Sequence, residues 1–225
     1  MKFAVAGKGG VGKTFIAGTL ARLLAREGYN VLAVDADPNI NLASSLGIPR
    51  DVAEGIVPLS DNAALIEERT GVAPGRSYGS LFRMTPTVSD IVERFGVVGP
   101  DGVKLLVMGT VKGGETGCMC PANALLRVLI QHLLIQREDI VVMDMVAGLE
   151  HLGRGTARRV DAMLVVVEPT MKSVDTLRRT LKLAAEIEVR EVLAVGNKIG
   201  SEGERRFIED RMREMGVPTA AYIPY

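Results

Sequence analysis

A glycine-rich stretch near the start of the sequence has the residue types and spacing needed to hold phosphate groups. Gly7-Lys8-Gly9-Gly10-Val11-Gly12-Lys13-Thr14 fits the phosphate-loop pattern, in which a glycine and four further residues precede Gly-Lys-Thr. Residues without a Cβ let backbone N–H groups converge on phosphate oxygens, and a helix start adds a partial positive charge. We expect the whole loop to bind nucleotide, with Lys13 along the β- and γ-phosphates and the Thr14 hydroxyl on Mg²⁺. The alternative is a strand-to-helix turn with no ligand, and the completeness of the motif argues against it.

Lys8 is a second lysine in this loop, directly after its first glycine. A single subunit does not need it to hold phosphates, and it repels the nearby Lys13. Its presence is explained if it reaches an anion elsewhere, for instance a phosphate bound by a second copy of the chain. The loop resembles the deviant phosphate loop of the MinD/ParA group of dimerising ATPases, in which the extra lysine crosses the dimer interface. The alternative is a solvated loop lysine.

Carboxylates that follow apolar strands are candidates for handling Mg²⁺ and water. Asp144 follows four apolar residues and is expected to hold Mg²⁺ or its water shell, although a strand-end aspartate can also cap a turn. Asp35 and Asp37 flank one alanine, and we expect only one of them to face the γ-phosphate. In the MinD/ParA group the aspartate of the matching Asp-Pro step orients the attacking water, which implies this catalytic role for Asp37. Asp35 is then expected to be structural or to lie near the outer shell of the metal.

Asn197 and Lys198 follow another apolar strand and resemble the Asn-Lys step that reads the base in related nucleotide-binding folds. An asparagine amide can both donate to and accept from a purine edge, and a lysine stem can cover the face of the base. Ile199 and Gly200 come next, with no aspartate to select guanine, so adenine is expected. An Asx turn is the alternative explanation for Asn197.

Cys118 and Cys120 are separated by one residue and are the chain's two cysteines. Two thiolates do not complete a metal site, which needs about four ligands. A twofold axis through the motif would bring four sulfurs together and allow Zn²⁺, Ni²⁺ or an iron–sulfur cluster. The alternatives are two buried structural thiols or a disulfide, which would be strained across a single residue.

Alternating strands and helices must position these residues. A strand over Lys2–Ala6, a helix over Lys13–Glu27 and a strand over Val31–Val34 make one βαβ unit of a parallel sheet. The sequence predicts one P-loop NTPase domain over 1–225, with a doubly wound, mostly parallel α/β sheet and a Cys-x-Cys metal and dimer segment near 113–121. Further strands are predicted at Leu105–Met108, Ile140–Met143, Met163–Val167, Val192–Val195 and Ala220–Ile223. Further helices are predicted at Asn62–Thr70 and Ser89–Phe95, from the opening stretch Cys118–Pro121 onward, and at Ser173–Glu188 and Glu202–Met215.

The composition argues against several classes of partner. Lysine plus arginine and aspartate plus glutamate number 27 each in 225 residues, so no basic excess predicts nucleic-acid binding. No apolar run approaches the roughly 20 residues of a membrane span, and we expect no signal peptide and no amphipathic membrane helix at the chain's end. The paired cysteines are not a disulfide framework, so we expect a reducing cytoplasm.

Four stretches together resemble the CooC-type nickel-insertion ATPases, which are maturation factors of carbon monoxide dehydrogenase. They are Gly7–Thr14, Asp35–Asn39, Gly113–Pro121 and Asp144–Gly155. The resemblance covers nearly the whole chain and implies an ATP-hydrolysing metallochaperone that forms a homodimer with nucleotide. It also implies a Ni²⁺ or Zn²⁺ ion bridged by Cys118 and Cys120 of both chains and delivered to apo carbon monoxide dehydrogenase or a similar nickel enzyme.

Two other functions fit parts of the sequence. An iron–sulfur cluster carrier of the Mrp/ApbC kind also uses closely spaced cysteines at a dimer interface. A MinD- or ParA-like positioning ATPase would need a surface for membrane or DNA, which the charge balance disfavours. Anaerobic reconstitution and a visible spectrum would separate the cluster carrier from the nickel chaperone.

Overall fold

The computed structural model describes residues 1–37, 41–74, 81–109, 121–135, 138–145 and 159–225. Eight strands within these ranges form one sheet. They are β1 Lys2–Gly7, β2 Val31–Asp35, β3 Val97–Val98, β4 Lys104–Val107, β5 Ile140–Asp144, β6 Ala162–Val167, β7 Val192–Ile199 and β8 Thr219–Pro224. Their order across the sheet is β3-β4-β2-β5-β1-β6-β7-β8, and only β3 runs antiparallel to its neighbour.

Helices cover both faces of this sheet. They are α1 Lys13–Arg26, α2 Leu42–Ser45, α3 Arg50–Glu54, α4 Ala63–Thr70, α5 Ile91–Phe95, α6 Pro121–Ile135, α7 Met171–Glu186 and α8 Glu202–Glu214, with short 3₁₀ turns at Leu59–Asp61 and Pro100–Gly102. Side chains of β1 alternate between the faces: Val5 packs in the cluster that includes α1 and α2, whereas Ala4 and Ala6 pack with α4, α6, α7 and α8. The predicted doubly wound, mostly parallel α/β sheet is confirmed.

The register of the central strands brings the carboxyl ends of β2 and β5 to the same level beside β1. Asp144 at the end of β5 is level with Asp35 at the end of β2, and it is also level with Val5 of β1. Since β1 runs on into the glycine-rich loop, the loop and both carboxylates lie at one edge of the sheet, as ligand sites do in open α/β folds.

The predicted elements are found within two residues of their expected bounds where both bounds are described, with one consequential exception. We predicted that the strand ending at Val195 would stop before Asn197, but β7 extends to Ile199 and is irregular between Gly196 and Ile199. Lys198 has a φ of 59° there, so an irregular turn inside the strand, rather than a loop after it, aims these side chains. The short elements α2, α3 and β3 were not predicted, and the expected start of α6 at Cys118 lies outside the described residues.

None of the helices in the described ranges has both the length and the apolar character needed to cross a bilayer.

Candidate functional site

The loop between β1 and α1 has the geometry of an anion site. Gly10 and Gly12 have φ of 80° and 100°, which glycine adopts without strain. A Cβ added at Gly9 or Gly10 would meet no atom within 4 Å, so this side of the loop is open. Helix α1 starts at Lys13 without a side-chain cap and without an acidic residue in its first turn. Its N-terminal N–H groups and its dipole are therefore available to a phosphate.

Lys13 is folded over this loop. Its side chain is buried, and its Nζ donates to the carbonyl oxygen of Lys8 at 3.4 Å. Val11 is fully buried beneath the loop. The ammonium group is thus held beside the backbone N–H groups that would bind a phosphate.

Asp144 is the residue best suited to hold a divalent cation together with Thr14. Only 1% of Asp144 is exposed, and neither of its carboxylate oxygens has a hydrogen-bond partner among the described residues. Burial raises the pKa of Asp144 to about 6, while the nearby Thr14 hydroxyl and the Lys13 ammonium act to lower it. Two buried oxygens without partners beside a hydroxyl are an oxygen donor set that fits Mg²⁺.

Asp35 and Asp37 are held differently. Asp35 is fully buried and accepts hydrogen bonds from the backbone N–H groups of Leu42 and Asp37, both at 3.1 Å. Burial raises the pKa of Asp35 to about 7 against these two hydrogen bonds, and the charge of Asp144 adds to the rise. β2 ends at Asp35, so Asp37 lies beyond the strand and is partly exposed. Asp35 therefore braces the chain after β2, and Asp37 is the carboxylate with access to solvent. Pro38 lies outside the described residues.

Asn197 and Lys198 contact the glycine-rich loop directly. The Asn197 side chain is buried and its Nδ2 donates to the carbonyl oxygen of Val11 at 2.7 Å. Lys198 donates through Nζ to the carbonyl oxygen of Gly10 at 2.6 Å. The two side chains that we expected to contact the adenine base thus brace the loop. A Cβ on Gly12 would collide with Asn197.

Sequence reasoning missed Glu168 as a member of this site. It follows β6, and its Oε1 lies 3.0 Å from the Lys8 Nζ, while its Oε2 lies 3.5 Å from the Lys198 Nζ. Partial burial works to raise the pKa of Glu168, but the two ammonium groups outweigh it and hold that pKa below its ordinary value. The signal in the sequence was a carboxylate directly after an apolar strand, the same signal that identified Asp144.

The two cysteines lie outside the described residues, so their predicted metal site has no geometry here. Within the described ranges no group of three or more His, Cys, Asp and Glu side chains is arranged to hold a metal ion. The site that the structure brings together consists of the loop, Lys13, Thr14, Asp144 and Asn197, with Lys8 and Glu168 at its rim.

A strand, a phosphate loop, an uncapped helix start and a buried strand-end aspartate define a P-loop nucleotide-binding ATPase. The model of the CobQ/CobB/MinD/ParA nucleotide binding domain matches residues 2–225, so the chain belongs to this family. As an ATPase of the family it uses ATP and ADP with Mg²⁺.

Its relatives among known proteins align with it over most of its length. It is 45% identical to an ATP-binding protein of Methanocaldococcus jannaschii, over 100% of this chain and 85% of the relative. It is 44% identical to the carbon monoxide dehydrogenase accessory protein CooC of Rhodospirillum rubrum, over 94% of this chain and 79% of the relative. The resemblance to CooC-type proteins predicted from the motifs is therefore confirmed.

Solved structures with the same fold are more distant in sequence. The MinD cell division protein of Aquifex aeolicus has a TM-score of 0.66 at 20% identity, covering 99% of this chain and 81% of that one. The septum site-determining protein MinD of Pyrococcus horikoshii, complexed with Mg-ADP, has a TM-score of 0.65 at 21% identity, covering 100% of this chain and 81% of that one. At these identities the likeness shows the fold.

Proposed function

We propose that this chain is an ATP-hydrolysing metallochaperone that forms a homodimer with nucleotide and delivers Ni²⁺ during maturation of carbon monoxide dehydrogenase. The observation that carries the proposal is the 44% identity to a carbon monoxide dehydrogenase accessory protein over 94% of the chain. The adjacent thiols Cys118 and Cys120 supply the metal chemistry that such a role requires. We regard residues 1–225 as one ATPase domain acting in a reducing cytoplasm, where the thiols stay reduced.

In this proposal the loop from Gly7 to Thr14 binds the phosphates, and Lys13 donates to the β- and γ-phosphate oxygens. Thr14 and Asp144 are the residues that would hold Mg²⁺, which neutralises charge on these oxygens when bound. Asp37 orients the attacking water, a role that its access to solvent supports. Asn197 and Lys198 brace the loop, and in this proposal they would also border the adenine.

The position of Lys8 is an argument for the proposed homodimer. Its ammonium group is directed at Glu168, 3.0 Å away, rather than into the loop of its own chain. A cation at the rim of the site can reach a phosphate held by a facing copy, where it would stabilise charge on the transferring phosphoryl group. Closure of two chains on ATP would also bring together Cys118 and Cys120 of both, which gives the four sulfurs that a Ni²⁺ or Zn²⁺ site needs.

The cargo in this proposal is a metal ion shared by the two chains. Each chain's two thiolates form half a site, so metal is held in the closed dimer and released to the apo-enzyme when hydrolysis lets the chains separate. A nickel enzyme such as apo carbon monoxide dehydrogenase is the client that the relative's name suggests. No contact with membrane or nucleic acid is required.

The deciding experiment measures bound metal and mass together. Anaerobically purified protein is loaded with Ni²⁺ with and without ATP, and its metal content and sedimentation are recorded. We expect one nickel ion per two chains, and the dimer should show a thiolate-to-nickel charge-transfer absorption band. Cys118→Ser with Cys120→Ser removes every thiol in the chain and should abolish this binding while leaving nucleotide binding intact.

Thr116→Ala in the same segment is the matched control and should retain the metal. Nickel retained by the double serine variant would contradict the thiolate site. A visible iron–sulfur spectrum with labile sulfide, in place of nickel binding, would instead identify a cluster carrier of the Mrp/ApbC kind. A chain that binds neither would overturn the metallochaperone proposal and leave a positioning ATPase as the function to test.

A further inference from the structure

Glu168 is a carboxylate at the rim of a site for a polyanion. It lies directly after β6, which pairs with β1 so that Val166 is level with Gly7. Its side chain is 16% exposed. A free carboxylate in this position would repel a bound triphosphate. Its presence therefore calls for a role that involves the cations around it.

Contacts of its backbone N–H and of its carboxylate hold Glu168 in place. Its backbone N–H donates to the Ser173 Oγ at 3.1 Å, and the Thr170 hydroxyl donates to its Oε1 at 3.4 Å. The Lys8 Nζ donates to the same Oε1 at 3.0 Å, and the Lys198 Nζ lies 3.5 Å from Oε2. The carboxylate is thus attached to the start of α7 and faces both lysines at the rim of the loop.

The two lysines differ in how firmly they are held. Lys198 also donates to the carbonyl oxygen of Gly10 at 2.6 Å, so it is anchored to the loop independently of Glu168. The described contact of the Lys8 ammonium is the one with Glu168, and 35% of its side chain is exposed. Lys8 is therefore the partner that can leave, and Lys198 stays to offset the negative charge.

We propose that Glu168 is a positioning residue that holds the Lys8 ammonium within its own chain until a phosphate competes for it. The inference rests on the proposed function, in which Lys8 acts on the phosphate of a facing chain. Glu168 then sets the ATP concentration at which Lys8 is transferred, and it returns Lys8 to its own chain after hydrolysis. A partly exposed ion pair is worth little, so the effect on this concentration should be about two- to fivefold.

The test is Glu168→Gln, which keeps the size of the side chain and removes its charge. We expect the ATP concentration that gives half-maximal turnover to fall about two- to fivefold, with the melting temperature retained. ATP-dependent dimerisation, followed by sedimentation, should shift by the same factor. A variant that merely weakened the fold would lose maximal rate and melting temperature instead.

Two controls separate this role from a general effect of charge. Asp175→Asn removes an exposed charge from the first turns of α7 and should leave the half-maximal ATP concentration unchanged. In a Lys8→Ala background, Glu168→Gln should improve ATP affinity no more than Asp175→Asn does, because no lysine remains to be released. An equal gain with and without Lys8 would overturn the inference.

The outcomes also distinguish this inference from the proposed function. If Lys8→Ala leaves turnover and dimerisation unchanged, the role of the lysine in the proposed function fails. If Lys8→Ala abolishes both while Glu168→Gln behaves like Asp175→Asn, only the role of Glu168 is overturned. If Glu168→Gln does not fold, the inference can be tested in the wild-type sequence by NMR of the protein with dimethylated lysines. The Lys8 signal is assigned by its loss in Lys8→Arg. It should shift when a non-hydrolysable ATP analogue is added, and an unchanged signal would contradict transfer.

Discussion

Asp35 and Asp144 are buried side by side at the ends of β2 and β5, yet their surroundings differ. Asp35 accepts two backbone hydrogen bonds, whereas neither oxygen of Asp144 has a partner among the described residues. Asp35 therefore has a structural use for its carboxylate in the free chain. Asp144 has none there, because a buried carboxylate without partners is unfavourable until a cation approaches.

The first prediction concerns Asp144→Asn with Mg²⁺ chelated. Burial raises the pKa of Asp144 from 3.8 to about 6, so its contribution to stability is complete below about pH 4 and is lost as pH rises through about 6. One pKa unit corresponds to about 1.4 kcal/mol, so the variant should be more stable than wild type at pH 7 by about 3 kcal/mol. The difference should vanish near pH 4. Urea unfolding between pH 4 and 8 measures it.

Asp175→Asn, at an exposed position, is the control and should parallel wild type at every pH. The order of stability should reverse when Mg²⁺ and ATP are added, because an amide is a poorer ligand than a carboxylate. If the unfolding free energies of Asp144→Asn and wild type differed by the same amount at every pH, the pKa of Asp144 would not be raised in the folded state.

The second prediction concerns Lys13→Ala. Charge-assisted hydrogen bonds to a phosphate contribute about 1.5–3 kcal/mol, so the affinity for ATP should fall about 10- to 100-fold and turnover should be lost. Calorimetric titration with ATP gives the affinity. Lys182→Ala, on the exposed face of α7, removes the same charge from a position outside the loop and should change neither quantity. Normal turnover by Lys13→Ala would contradict the phosphate-loop assignment.

At the scale of elements, the glycine-rich loop and its neighbouring strand constrain one another. Gly7 has a φ of 145°, and a Cβ there would lie 2.6 Å from the carbonyl oxygen of Val166 on β6. Gly9 has ordinary backbone geometry and open space around it. Glycine is thus required for the fold at one position and for access of a ligand at the other.

The third prediction follows from this pair. Gly7→Ala should lower the free energy of unfolding by about 1–3 kcal/mol, since a strained backbone and a clash with a carbonyl must both be accommodated. Gly9→Ala should leave the unfolding free energy nearly unchanged and weaken ATP binding, because the methyl group occupies the approach to the loop. Thermal unfolding and ATP titration of both variants test it. Equal losses of stability would contradict this assignment.

Most strands could be predicted because buried parallel strands are continuous apolar runs, as at Ile140–Met143 and Met163–Val167. β7 was predicted four residues too short, since polar Asn197 and Lys198 carry no strand signal and their place is set by hydrogen bonds to the loop. The two-residue β3 and the short α2 and α3 have too few residues to show a period.

The residues of the candidate site also fall into those that the sequence could predict and those that it could not. Residues in a contiguous motif, such as Lys13 and Thr14, could be predicted because local sequence alone specifies their geometry. Glu168 could not be assigned to the site, because its contact with Lys8 spans 160 positions of sequence and depends on β6 lying next to β1. Contacts of that kind are properties of the sheet order.

For the whole molecule, the last prediction concerns how long two chains stay together. If Asp37 orients water, Asp37→Ala should bind ATP normally and hydrolyse it about 100-fold or more slowly, as expected when a catalytic base is removed. Because hydrolysis reopens the dimer in our proposal, the variant should accumulate as a dimer in ATP but not in ADP, which sedimentation would show.

Adding Lys8→Ala to Asp37→Ala should return the protein to single chains, since the cation that crosses the interface is then missing. An Asp37→Ala variant that hydrolyses slowly yet remains monomeric in saturating ATP would uncouple the nucleotide cycle from dimerisation.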